Sequence, residues 1–279
     1  MIAPAYHWQP TMFKRFVGSL DTNRKAAIID TDAGRAYIKP MMASKGHHPL
    51  ACEWVGTQLA KWFGLPTLDY AILYLEADDE IPLGTDGREN ALPGPAFITR
   101  KVSGDQWDGS SDSLDRVENM DIIPRLVAFD TWTLNWDRFP PQGDCRKPNY
   151  GNVFLTSDDA STAGKYRILA IDHTECFSVG QELKPQIFGI DRRQERRIYG
   201  FCDSFKPFLV RELIDQSAEK LGQIDTDTVR EFVETIPTEW DVSQQTRDSL
   251  VNFISSRATF LADNIVEMLN SANYMGGLF

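Results

Sequence analysis

Leu134-Asn135-Trp136-Asp137-Arg138 closes a predicted helix over residues 121–136, whose apolar side chains include Ile122, Ile123, Leu126, Phe129 and Leu134. Downstream, Gly151-Asn152-Val153-Phe154-Leu155 opens one short apolar run and Leu169-Ala170-Ile171-Asp172-His173 closes another, which predicts strands over 152–155 and 166–171. Each stretch leaves an oxygen-bearing side chain at the end of an element. Taken singly, Asp137 is a helix-end cap, Asn152 a turn residue and Asp172 a strand-terminal acid. Taken together, they are a carboxylate followed by two further oxygen ligands, and a plain capping role does not explain the set.

Working outward, the first third of the chain alternates strands with one helix. Residues 25–30 and 35–40 predict two strands joined by the turn Thr31-Asp32-Ala33-Gly34. Residues 49–63 have helical periodicity, with Leu50, Trp54, Leu59 and Phe63 on a broad apolar face, and Gly64 and Pro66 stop the helix. Strands are predicted over 69–75 and 95–102. The acidic, Gly- and Pro-rich 78–94 is predicted as a loop, and the polar 104–113 as a connector. The last hundred residues are mostly helical, over 206–222, 227–236 and 243–269. The expected fold is α+β, with a small strand-rich N-terminal lobe over 1–104 and a larger helix-rich C-terminal lobe over 105–279.

The chain has 279 residues, 42% hydrophobic and 25% charged, an ordinary composition for a globular protein. A net charge of −11 argues against a general nucleic-acid-binding surface, which needs a basic footprint. Cys52, Cys145, Cys176 and Cys202 form no C-x-x-C pair, so neither a zinc site nor a disulfide scaffold is expected. No apolar run reaches membrane-spanning length, and Met1-Ile2-Ala3-Pro4-Ala5-Tyr6-His7-Trp8 lacks the pattern of a secretory signal. A cytoplasmic location is expected.

Phosphoryl transfer from ATP needs little covalent chemistry from a protein. It needs a carboxylate near the acceptor hydroxyl and oxygen ligands that hold Mg²⁺ on the phosphates. Asp137 suits the first task, Asn152 and Asp172 the second. Lys39, on the strand Tyr37-Ile38-Lys39, suits a point charge on phosphate oxygens; a solvated surface lysine is the plainer reading. Glu53 lies among Leu50, Ala51, Cys52 and Trp54, and an acid in that setting calls for a partner, for which Lys39 is the natural candidate. Arg138 either braces the loop or touches phosphate. His173 either packs or contacts phosphate. Gly18 and Ser19, within Phe16-Val17-Gly18-Ser19-Leu20, are the candidate phosphate-covering segment, since neither G-x-G-x-x-G nor G-x-x-x-x-G-K-[ST] is present.

In this order, Lys39, Glu53, Asp137-Arg138, Asn152 and Asp172 resemble the HipA-like kinase family and, more distantly, phosphatidylinositol 3-/4-kinase catalytic domains. The stretch from Glu53 through Leu59-Ala60 to Gly64-Leu65-Pro66 resembles the family's E…LA…GLP helix and exit, and Asp137-Arg138 with Asn152 resembles its D-R-H-x-x-N loop. Phe97-Ile98-Thr99-Arg100-Lys101 falls where the interlobe hinge of the family lies, which implies nucleotide contacts for Ile98 and Lys101. The resemblance implies a two-lobed protein-kinase-like fold, an ATP- and Mg²⁺-dependent reaction, a protein Ser/Thr acceptor, and a toxin or phage-defence setting with a small inhibitory partner protein. Three departures stand out. Phe139 replaces the family's His. Asp137 and Asn152 are 15 positions apart where the pattern has 5, an excess of ten residues over 141–150 that holds Asp144, Arg146, Lys147 and Asn149. Thr174 stands where relatives often have Gly. The inserted stretch either binds the acceptor or places Asn152 elsewhere. Two other functions compete: a kinase of a lipid head group or small molecule, and a pseudokinase that binds nucleotide or a partner without turnover.

Overall fold

The computed structural model describes residues 8–22, 25–157, 161–178 and 180–274. Most of the stretch read for a secretory signal, residues 1–7, lies outside them. The chain divides into two compact units that are not contiguous in sequence: residues 1–51, 68–102 and 237–241 form one, and 52–67, 103–236 and 242–279 the other. A single boundary near residue 104 does not describe this division.

The first unit is built from strands β1 (Phe13–Ser19), β2 (Ala27–Thr31) and β3 (Gly34–Lys39), the start of helix α1 (His48–Trp62), and strands β4 (Tyr70–Leu75), β5 (Pro82–Leu83), β6 (Glu89–Asn90) and β7 (Gly94–Arg100). Five of these strands pair antiparallel in the order β1-β2-β3-β7-β4. The β2–β3 turn forms as its residues predict, with Gly34 at φ +105° and the Thr31 hydroxyl donating to the Gly34 carbonyl over 2.7 Å. Side chains alternate between the two faces of a sheet. Ala27, Ile29, Ala36, Ile38, Leu73, Ala96 and Ile98 turn to one face and form a dry core with Met42, Ile81 and Leu83. Truncating one of the isoleucines to Ala would cost about 2–5 kcal/mol. In the register Ile38 faces Ile98 and Lys39 faces Phe97, so Lys39 lies on the face opposite this core. Residues 237–241 join the unit through Trp240 Nε1, which donates to the Pro95 carbonyl over 3.0 Å.

The second unit contains the rest of α1, strand β8 (Gly104–Gln106), helices α2 (Ser111–Leu114) and α3 (Ile123–Thr133), strands β9 (Val153–Thr156) and β10 (Arg167–Ala170), and helices α4 (Ile190–Arg193), α5 (Arg211–Gly222), α6 (Thr226–Glu234) and α7 (Gln244–Ser271). Strands β10, β9 and β8 make a small antiparallel sheet. Helix α7 is the spine against which α3, α5 and α6 pack. Its fully buried Arg257 donates to the carbonyls of Thr131, Trp132, Arg192, Arg193 and Glu195, so every face of the guanidinium meets backbone oxygen. Burial pushes its pKa down to about 10, still well above neutrality. Among the described residues no helix is long and apolar enough to cross a membrane.

Four local expectations change. Residues 78–94 are not wholly a loop, since the short strands β5 and β6 pair within them. Residues 104–113 are not a plain connector, because the polar Gly104-Asp105-Gln106 pairs with β9 through backbone alone. The helix expected over 206–222 begins at Arg211, since Pro207 interrupts the start and leaves a 3₁₀ segment over Asp203–Phe208. The helix before Asp137 stops at Thr133, where Leu134 turns left-handed at φ +52°.

Candidate active site

Helix α3 carries the foundation. Asp130 lies in its buried stretch Val127-Ala128-Phe129-Asp130-Thr131-Trp132 and is fully enclosed. After the left-handed Leu134, the Asn135 N–H donates to the Asp130 carbonyl over 2.9 Å and the chain leaves the helix. Arg138, also fully buried, pairs through Nη1 with Asp130 Oδ1, to which Asn135 Nδ2 donates as well. Burial pushes the Asp130 carboxyl up, and Arg138 and Asn135 pull it back.

The remaining donors of Arg138 explain why an arginine is needed here. Nε donates to the Asn152 carbonyl over 3.1 Å and Nη2 to the Ile171 carbonyl over 2.8 Å. Asn152 immediately precedes β9, and Ile171 immediately follows β10. The ladder pairs Val153 with Ala170, so antiparallel geometry alone brings the start of one strand beside the end of the other. The guanidinium then fixes both ends at once. Of the two roles expected for Arg138, bracing is the one the geometry fits and phosphate contact is corrected: its side chain has no exposed surface, and Nε, Nη1 and Nη2 are each spent on a protein partner.

Asp137, at the loop's surface, receives Asn152 Nδ2 at 2.7 Å and Asn149 Nδ2 at 3.3 Å, both on Oδ2. The inserted stretch therefore does not displace Asn152; it contributes Asn149 to the same carboxylate. Phe139, in place of the family's His, is fully buried against Trp107, Tyr150 and Phe205, with ring centroids 6.2, 5.4 and 5.4 Å away. An imidazole there would lack polar partners.

Asp172 adopts φ +58°, a left-handed conformation that Asp tolerates better than most residues. The Thr174 hydroxyl donates to Asp172 Oδ1 over 2.6 Å. The next N–H, that of His173, donates to Glu53 Oε2 over 3.1 Å, which ties α1 to the segment after β10. Gly56, one turn further along α1, leaves room for this contact: a Cβ there would fall 2.7 Å from His173 Cβ. The His173 ring packs edge-on against Phe129 at 5.3 Å, so it is a packed histidine.

With its amide nitrogen spent on Asp137, Asn152 keeps Oδ1 for a cation. An amide oxygen plus the Asp172 carboxylate is a hard-oxygen pair suited to Mg²⁺, which takes its other ligands from phosphate and water. The residues present fit that ion.

The remaining sequence candidates lie in the sheet unit. Lys39 ends β3, half-buried. Ile98 is fully buried in the core on the face opposite Lys39, so a nucleotide contact by its side chain is corrected; period-2 alternation puts Phe97 and Thr99 on the lysine's face instead. Lys101 is exposed, with Nζ 5.6 Å from the centre of the Tyr37 ring. Gly18 and Ser19 belong to β1 and are not a loop: Gly18 pairs with Ile28, and the Ser19 hydroxyl donates to the Pro82 carbonyl over 2.8 Å. Sequence reasoning missed Asp130, although an acid inside Val-Ala-Phe-Asp-Thr-Trp was the available signal. It noted Thr174 only as a departure.

Among solved structures, the chain is similar to the Helicobacter pylori proinflammatory kinase CtkA, at 12% identity over 94% of this chain and 99% of that one, with a TM-score of 0.59. Weaker likenesses are to WaaP in complex with acyl carrier protein (14% identity, 87% of this chain and 88% of that one, TM-score 0.32) and to a variant of the PknI kinase domain of Mycobacterium tuberculosis (15%, 89% and 98%, 0.31). These two are too remote to carry an argument. The CtkA match shows a protein-kinase-like fold, with an antiparallel sheet in the N-terminal part and helices in the C-terminal part. No curated protein sequence matches. The family model for HipA-like kinases matches residues 24–270, nearly the whole chain, and with Asp137, Arg138, Asn152 and Asp172 gathered as above, the protein belongs to the HipA-like kinase family.

Proposed function

We propose that this kinase transfers the γ-phosphoryl group of ATP, with Mg²⁺, to a Ser or Thr hydroxyl of a protein. The observation that carries the reading is the convergence on Arg138: one buried guanidinium holds the backbone of Asn152 and of Ile171, while the Asn152 side chain reaches Asp137 at 2.7 Å. Asp137 orients the acceptor hydroxyl and accepts its proton. Asn152 and Asp172 hold the metal, which supplies charge neutralisation on the phosphates. Lys39 is assigned to the phosphate oxygens and Glu53 to orienting it, on the family resemblance. The protein acceptor likewise follows from the family.

The test is incubation with labelled ATP and Mg²⁺. Wild-type protein labels itself or an added protein, and Asp137→Ala abolishes labelling while nucleotide still raises the melting temperature. Wild-type protein that binds nucleotide but transfers nothing is a pseudokinase, and the proposal fails.

A further inference from the structure

The inserted stretch 141–150 does more than span the gap between Asp137 and Asn152. Its Arg146 guanidinium lies 3.6 Å from the centre of the Trp136 ring, and Trp136 is the residue immediately before Asp137. The indole is clamped, because Gly180 approaches so closely that a Cβ there would fall 3.0 Å from Trp136 Cζ2. Asn149, three residues after Arg146, donates to Asp137 Oδ2. Two side chains of the insertion are thus docked on consecutive residues of the catalytic loop.

The guanidinium has donors to spare. Its nearest carboxylate, Asp144, is 3.8 Å from Nη1, beyond hydrogen-bond length, and the Arg146 side chain is 40% exposed. An ion pair of that kind, long and partly exposed, contributes little and is readily displaced. Stacking on the indole has already restricted the long side chain, so an incoming anion meets a cation whose ordering cost is largely met. The chain as a whole carries −11, which repels acidic partners, whereas Arg146 holds a positive charge against Trp136, the residue before Asp137.

From this we infer that Arg146, stacked on Trp136, reads an anionic side chain near the acceptor hydroxyl, and that the preferred acceptor is a Ser or Thr in an acidic peptide segment. The inference rests on the proposed protein-kinase activity and deepens it.

The experiment uses the full chain, Mg²⁺, labelled ATP and Ser/Thr peptides that differ at single flanking positions in carrying Asp, Ala or Lys. The wild type favours acidic peptides about tenfold in kcat/KM, the scale of one charge-assisted hydrogen bond. Arg146→Met, which still covers the indole, raises KM for acidic peptides about tenfold and leaves KM for ATP in place. Arg146→Lys keeps part of the preference, and Arg146→Glu turns it toward basic peptides. Phosphate transfer with no acidic preference, including transfer confined to the chain itself, overturns the inference and leaves the kinase reading standing. Survival of the preference in Arg146→Glu overturns it as well. Absence of any transfer by the wild type overturns the underlying kinase reading instead.

Discussion

The Thr174 hydroxyl lies 2.6 Å from Asp172 Oδ1 and donates to it. A residue with a side chain here costs the backbone freedom a glycine would give, and what the chain gains is a hydrogen bond that orients the Asp172 carboxylate, the proposed metal ligand. Thr174→Val removes the donor and keeps the shape. Loss of a group that holds a metal ligand typically weakens metal affinity by roughly tenfold or more. Mn²⁺ titration by electron paramagnetic resonance, with a non-hydrolysable ATP analogue, should show that loss in the valine variant and recovery in Thr174→Ser. Equal affinity in all three proteins would remove Thr174 from the site.

Breaking the buried Asp130–Arg138 pair separates folding from positioning. Arg138→Met strands the Asp130 carboxyl in an enclosed site, or forces it to take a proton, at about 3–5 kcal/mol. Asp130→Leu combined with Arg138→Met removes both charges and should recover much of that loss in urea unfolding. The double variant still lacks the donors to the Asn152 and Ile171 carbonyls. Phosphate transfer is therefore expected to stay absent although the fold returns, and a double variant with wild-type activity would show that Arg138 positions nothing.

Gly56→Ala tests the close approach of α1. The added methyl would lie 2.7 Å from His173 Cβ, and overpacking of this kind costs about 1–3 kcal/mol. Because His173 adjoins Asp172, activity should fall together with the unfolding midpoint. An alanine variant of unchanged midpoint would mean that the segment yields without strain.

Acid should act on the sheet unit through Glu89, alongside Asp30, whose pKa Arg35 and Arg15 also hold down at about 2. Its carboxylate accepts from Lys25 Nζ at 2.9 Å, the Ser44 hydroxyl at 2.7 Å and the Ser44 N–H at 2.8 Å, which holds its pKa down at about 2. A folded pKa below the unfolded one stabilises at higher pH. That contribution is complete above the ordinary glutamate value and fades as pH falls from about 4.5 toward 2. Glu89→Gln should lessen the fall in melting temperature over that interval, and a profile identical to wild type would exclude Glu89 as a source of it.

Much of this was legible from local chemistry. The turn at Thr31–Gly34 announces the β2–β3 hairpin, and helix α1 ends where Gly64 and Pro66 require. The start of β9 and the end of β10 could be brought together in advance, because two consecutive short strands that pair antiparallel set the start of one beside the end of the other. What escaped was information held across long separations. Strand β1 alternates weakly, and only its ladder with β2 identifies it. Strand β8 is polar and defined by backbone pairing. Resemblance to the family's hinge implies a nucleotide contact for Ile98, whereas its ladder register with Ile38, which only the folded sheet reveals, puts its side chain in the core. Asp130 and Arg138 are eight residues apart, but that they pair depends on the left-handed exit at Leu134, which neither residue announces.

Glu53 grips the peptide directly after Asp172. Helix α1 and the segment that carries Asp172 are thus mechanically linked, like a lever fastened to its load. Any binder that tilts or unwinds α1 from Cys52 onward therefore pulls on the amide that follows Asp172. Inhibition from a distance can therefore be sought in molecules that seize this helix, with no need to compete for the nucleotide.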